Sequence, residues 1–220
     1  DDLSVALGLP VRIENNIRAY AMFERWENRM FSLRDFILVS IRTGIGSSII
    51  VDGHLYKGHQ NLAGGLAHFT VDPNGPVCRC GKRGCLETYI NQDILFQKLL
   101  ELTHDSGEYY SIQDTKERLG ELFTLARNGN DEAIEFIRDA VTIFAPKLAE
   151  LIMVLNIRDV IVSGHFGRDG DFFVKLLDEA IRPYVLPKAE YELRYYPFDD
   201  TGFVRGAALL ILQDYFSDAL

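Results

Sequence analysis

Apolar residues recur along this chain with two periods. Ile134, Ile137, Val141, Phe144, Leu148, Leu151, Ile152 and Leu155 fall on one helical stripe, predicting a long helix from Asp131 to Leu155. Pro146 inside it lacks a backbone donor and crowds the preceding turn, so a kink is expected there. Ile17, Ala21, Met22 and Trp26 mark a second helix from about Asn16 to Asn28, entered from a short strand at Leu9–Ile13. Phe36–Ile41 and Ile45–Val51 are apolar runs of strand length, and Asp52-Gly53 is the turn signal of a hairpin. His68–Val71 reads as a further strand. After largely helical segments, Val160–Val162 is a β-branched strand leading through Ser163-Gly164-His165-Phe166-Gly167 into a helix from Asp171 to Ile181. Tyr191–Tyr196 reads as a strand and Gly202–Phe216 as a closing amphipathic helix. Strands alternating with helices predict an α/β fold.

No repeat, low-complexity tract or Gly/Ser linker divides the 220 residues, so one unit spanning 1–220 is expected. The 23 Lys and Arg against 32 Asp and Glu give a formal charge of −9, and the longest basic run is Lys82-Arg83. Such a chain does not hold DNA by its own field. No stretch has the roughly 18 apolar residues of a membrane span, and the start at Asp1-Asp2 does not resemble a signal peptide, so a cytoplasmic protein without membrane contact is expected.

The three cysteines lie in one octapeptide, Cys78-Arg79-Cys80-Gly81-Lys82-Arg83-Gly84-Cys85. An odd number crowded into one turn suits a metal better than a disulfide framework, and Gly81 and Gly84 let the backbone fold tightly enough for the sulfurs to converge. His68 is the candidate fourth ligand, completing a closed Cys3His zinc site of the structural type.

The run Leu62-Ala63-Gly64-Gly65-Leu66-Ala67-His68, followed by the cysteine turn and Leu86-Glu87-Thr88, resembles the signature of the ROK family of repressors and sugar kinases. Glu14-Asn15-Asn16, Thr43-Gly44-Ile45-Gly46-Ser47, Asp52-Gly53-His54 and Gly202-Phe203-Val204-Arg205-Gly206 extend the likeness along the chain. The resemblance implies the actin-like ATPase (ribonuclease H-like) fold of ROK sugar kinases, mainly its second, larger lobe. The first lobe and any helix-turn-helix are expected to lie outside this chain, and DNA contact would come only through such a missing region. It also implies structural Zn2+ on His68, Cys78, Cys80 and Cys85, with no position left open to activate a water. The family's sugar contacts map onto Asn15, Asn16, Gly65, His68 and Glu87, and its phosphate loops onto Thr43, Gly44, Gly46 and Gly164.

Three departures bear on activity. Where the family carries an Asn-Asp pair this chain has Asn15-Asn16, and an amide cannot take the proton of an attacking hydroxyl; loss of a general base costs about 10² to 10⁴ in rate. Gly65 stands where the family carries a glutamate. The glycine triplet of the second phosphate loop reads Ser163-Gly164-His165, so ATP with Mg2+ is not expected to bind. These substitutions point to the effector-binding and oligomerising part of a ROK transcriptional regulator without catalysis, recognising a sugar or a phosphorylated sugar and forming a homodimer or higher homo-oligomer. A glucokinase-like, ATP-dependent sugar kinase and a binding scaffold with a vestigial pocket are the alternatives.

Overall fold

The computed structural model describes residues 2–27, 33–106 and 110–217. They group into two compact units, one within residues 33–199 and one within residues 1–32 and 200–220.

The larger unit is built on a five-stranded sheet of order β3-β2-β1-β4-β5, comprising β1 (Phe36–Ile41), β2 (Ile45–Val51), β3 (His54–Leu55), β4 (Asp159–Gly164) and β5 (Glu192–Pro197). All six residues of β1 are buried, and likewise all six of β4, as expected of strands whose apolar runs lack alternation because both faces are covered. β1 pairs antiparallel with β2 and parallel with β4, which pairs parallel with β5. The register sets Ile41 beside Gly164 and Gly164 beside Pro197. The chain therefore leaves all three strands at one edge, the carboxyl edge where open α/β sheets bind ligands. Asp52 and Gly53, both at positive φ, close the β2–β3 hairpin as the Asp-Gly signal predicts.

The crossover between β1 and β4 carries helices α3 (Gln92–Leu102), α4 (Ile112–Arg118), α5 (Gly120–Arg127) and α6 (Asp131–Leu155); α7 (Gly170–Ile181) joins β4 to β5. α6 starts where Asn130 Oδ1 accepts from Ala133 N at 2.9 Å and stops where Asn156 turns left-handed. It continues through Pro146 without a break, and its stripe residues join Ile37, Val39, Val160 and Val162 in one core.

The smaller unit holds α1 (Asp2–Leu7), α2 (Asn16–Glu27) and α8 (Gly202–Ser217). α2 and α8 approach so closely that a side chain at Gly206 would lie 1.8 Å from the Ala19 carbonyl oxygen, and the Tyr20 and Phe203 rings pack edge to face with centroids 5.6 Å apart. The end of α2 expected at Asn28 lies outside the described residues.

Two expected strands do not form. Leu9–Ile13 is irregular with Ile13 96% exposed, because Pro10 withholds a donor and no strand among the described residues of that unit pairs with it. His68 ends a 3-10 turn, Leu66–His68, and only Thr70 bridges, to Cys85; the backbone wraps the cysteine turn instead of joining the sheet.

Candidate functional site

The cysteine turn is a small framework of its own. Val71 N donates to Gly84 O at 2.7 Å, Gly84 N to Pro76 O at 2.8 Å, Cys78 N to Lys82 O at 2.8 Å and Leu86 N to Phe69 O at 2.9 Å. Gly81 and Gly84 both have positive φ. A Cβ on Gly84 would lie 1.5 Å from the Asp72 carbonyl oxygen, so this crossing is open to glycine alone. The result is that one donor atom from each of His68, Cys78, Cys80 and Cys85 lies within 4.8 Å of every other. His68 Nδ1 is 3.6 Å from Cys78 Sγ, and Cys80 Sγ is 3.6 Å from Cys85 Sγ. A tetrahedral ion with ordinary Zn–S and Zn–N bonds needs edges of about 3.8 and 3.6 Å, so the four donors fit one metal with little movement. Burial pushes the Cys78 thiol up to about 12, and burial also raises Cys85, whereas a backbone donor at Lys82 lowers exposed Cys80. A cation overrides these preferences, since the thiolate is its ligand.

Glu87 stands against this cluster in a 3-10 turn, Leu86–Thr88, that begins directly after Cys85. Its side chain is only 7% exposed. Oε1 accepts from the Cys78 thiol at 2.9 Å and lies 3.5 Å from His68 Nδ1; Oε2 pairs with Arg79 Nη2 at 2.9 Å. The same guanidinium lies over Gly44, whose missing Cβ would be 2.6 Å from Arg79 Nη2 and 3.0 Å from Glu87 Oε2. Of the residues expected from sequence, Glu87 thus meets His68 directly and Gly44 together with Arg79, a residue to which the sequence assigned no role. The signal was a long cation between two cysteines of the cluster. Gly65 precedes the turn of His68, and a Cβ there would meet nothing nearer than Leu62 O at 4.0 Å. Sterics do not dictate glycine at that position.

At the carboxyl edge of the sheet, Thr43 and Gly44 turn β1 into β2, with Arg42 N donating to Gly44 O at 2.9 Å, while Gly46 lies within β2 opposite Ser40. Arg42, His165 and Phe198 are the residues that follow three adjacent strand ends, and they gather into one cluster. His165 Nδ1 is 3.1 Å from Oε1 of buried Gln92, its ring meets Phe198 edge to face at 5.1 Å, and Arg42 lies over Phe198 at 4.3 Å. Gly164 is held by packing: a Cβ would be 2.8 Å from Ile41 O and from the Phe166 ring. The Gly164 backbone is thus closed in by Ile41 and Phe166.

In the smaller unit Asn15 and Asn16 are exposed at the start of α2. Both side-chain oxygens accept from Ile17 N, at 2.9 and 2.8 Å, Asn15 as the helix N-cap and Asn16 from within the first turn. Among the described residues no helix is long and apolar enough to cross a membrane.

A family model described as ROK matches residues 1–214. The chain is 30% identical over 97% of its length to the glucokinase of Thermotoga maritima, covering 69% of that protein, and 27% identical over 94% of its length to a putative xylose repressor of a Caldicellulosiruptor species, covering 53% of it. A solved ROK transcriptional regulator, a homologue of the E. coli MLC protein, superposes with a TM-score of 0.77 at 25% identity, over 97% of this chain and 55% of that one. The ROK hexokinase of Thermus thermophilus gives 0.73 at 26%, over 94% and 69%. The chain thus spans about half of the regulators and about two thirds of the kinases it matches. Its mixed sheet, its His/Cys3 cluster and its match along nearly the whole sequence lead to one conclusion: this chain belongs to the ROK family, whose kinases have the actin-like ATPase fold.

Proposed function

We propose that this chain is the effector-binding and self-associating part of a ROK transcriptional regulator, recognising a sugar or sugar phosphate without phosphorylating it. One observation carries the reading: Asn16 is an amide at the place where the family's kinases carry the carboxylate base. A hydroxyl attacking a phosphoryl group must lose its proton, and nothing at that position accepts one. The packing of His165 against Gln92 and Phe198, directly after Gly164, supports it from the nucleotide side.

His68 and Glu87 hold ring hydroxyls in this reading, with Glu87 the buried acceptor. The His/Cys3 cluster takes a zinc ion whose four ligands come from the protein, so it braces the pocket and supplies no nucleophile. The protein works in the cytoplasm, self-associates, and reaches DNA through a region that this chain does not include. Effector binding acts on DNA only by favouring one arrangement of the protein over another.

The test joins calorimetry to a coupled ADP-release assay on the purified protein, with glucose, xylose, N-acetylglucosamine, N-acetylmannosamine and their 6-phosphates (5-phosphate for xylose) as ligands. Saturable binding without turnover is expected. Phosphoryl transfer at the roughly 1 to 100 s⁻¹ typical of kinases would establish the kinase reading instead. Absence of binding by any of these ligands would leave a scaffold.

A further inference from the structure

The cysteine turn carries three cations, and they are placed differently. Lys82 Nζ donates to His68 O at 2.7 Å and Arg83 Nη1 to Gly75 O at 3.2 Å, both bracing backbone. Arg79 instead reaches across the turn to Glu87, and its side chain stays 70% exposed. One nitrogen of a five-donor guanidinium pairs with one carboxylate oxygen, which leaves further donors on a largely exposed group beside Glu87.

Glu87 without Arg79 would be a buried acceptor whose charge repels any anion brought to it. The 2.9 Å ion pair cancels that charge. Gly65, which has room for a side chain but carries none, adds no second carboxylate. Gly44 completes the arrangement, because a Cβ there would occupy the space of Arg79 Nη2, 2.6 Å away. A ligand whose hydroxyls engage Glu87 therefore meets, on the side of the Thr43–Gly44 turn, a fork of donors matched to a phosphate or carboxylate.

We infer that Arg79 is a specificity-determining residue, making this pocket prefer sugars that bear an anionic substituent over their neutral parents. The inference rests on the effector-pocket reading of Glu87 and His68. Both a phosphate ester and a uronic acid carboxylate supply the chemistry, and the experiment separates them.

Isothermal calorimetry at low ionic strength is run with glucose, glucose 6-phosphate, glucuronate, N-acetylglucosamine and N-acetylglucosamine 6-phosphate. Charge-assisted hydrogen bonding to one guanidinium predicts affinity ratios of about 10 to 100 for an anionic sugar over its parent. The ratio is expected to shrink with added NaCl, because Arg79 is exposed. Arg79→Gln and Gly44→Ala should bring it close to one, and Arg79→Lys should keep part of it; bound metal, measured on each variant, reports whether the turn is intact. A larger ratio for the 6-phosphates than for glucuronate assigns a phosphate ester, and the reverse assigns a carboxylate. Neutral sugars binding as well as their anionic forms, or a preference that survives Arg79→Gln, would overturn the role of Arg79 and leave the effector pocket standing. No binding by any of the sugars would remove the pocket reading, and this inference with it.

Discussion

Gly81 and Gly84 share a left-handed backbone but not their surroundings. Nothing lies within 4 Å of a Cβ built on Gly81, whereas one on Gly84 would strike the Asp72 carbonyl. Gly81→Ala should therefore cost only the conformational penalty of about 1 to 2 kcal/mol. Gly84→Ala has to move the chain that crosses it, and a loss above about 3 kcal/mol is expected, together with weakened metal binding. Urea denaturation and metal analysis of the two variants check this, and equal losses would mean that the crossing at Asp72 is not tight. The motif was legible because cysteines, glycines and His68 each have few other reasons to stand at such spacing. Arg79 was not, since the value of a cation depends on which carboxylate it meets, and Glu87 meets it only once the turn has closed.

Between elements, Asp169 ties the start of α7 to α5. Its carboxylate accepts from Thr124 Oγ1 at 2.7 Å and pairs with Arg127 Nη1 at 3.0 Å. The Thr124 hydroxyl, then Arg127, hold this carboxyl below the usual range. A group whose folded value is depressed contributes stability that is full above its unfolded value of about 4 and is lost as the pH falls through the folded value. Asp169→Asn should lower the melting temperature at neutral pH and flatten its decline in acid, by differential scanning calorimetry between pH 2 and 7. An unchanged acid limb would show that Asp169 is no part of it. Elements with strong periodicity were readable: β1, β2 and α6 fall within the expected bounds. The strand expected at Leu9–Ile13 fails because apolar residues make a strand only where a partner offers hydrogen bonds, and that partner is a tertiary fact.

Taken as a whole, the cysteine turn joins segments with little regular structure, so a metal there should matter to stability beyond its immediate ligands. One zinc per chain is expected by atomic emission, with chelation lowering the melting temperature. Cys85→Ser should do the same, at a cost on the order of 4 kcal/mol. If the ion is the cause, a chelator has no further effect on that variant; an additive loss would place the chelator's action elsewhere. The effect should fade in acid, because proton and metal compete for the same thiolates.

By itself the sequence determined the α/β class, the strands of the central sheet, the long helix, the four residues of the His/Cys3 cluster and the amide at position 16, because these depend on periodicity and residue chemistry. Only the tertiary structure decided that Arg42, His165 and Phe198 crowd one sheet edge, and that Arg79 spans Gly44 and Glu87. The physical reasons differ: parallel pairing sets strand ends side by side although they are far apart in the chain, whereas Arg79 meets Glu87 and Gly44 only once the cysteine turn has closed.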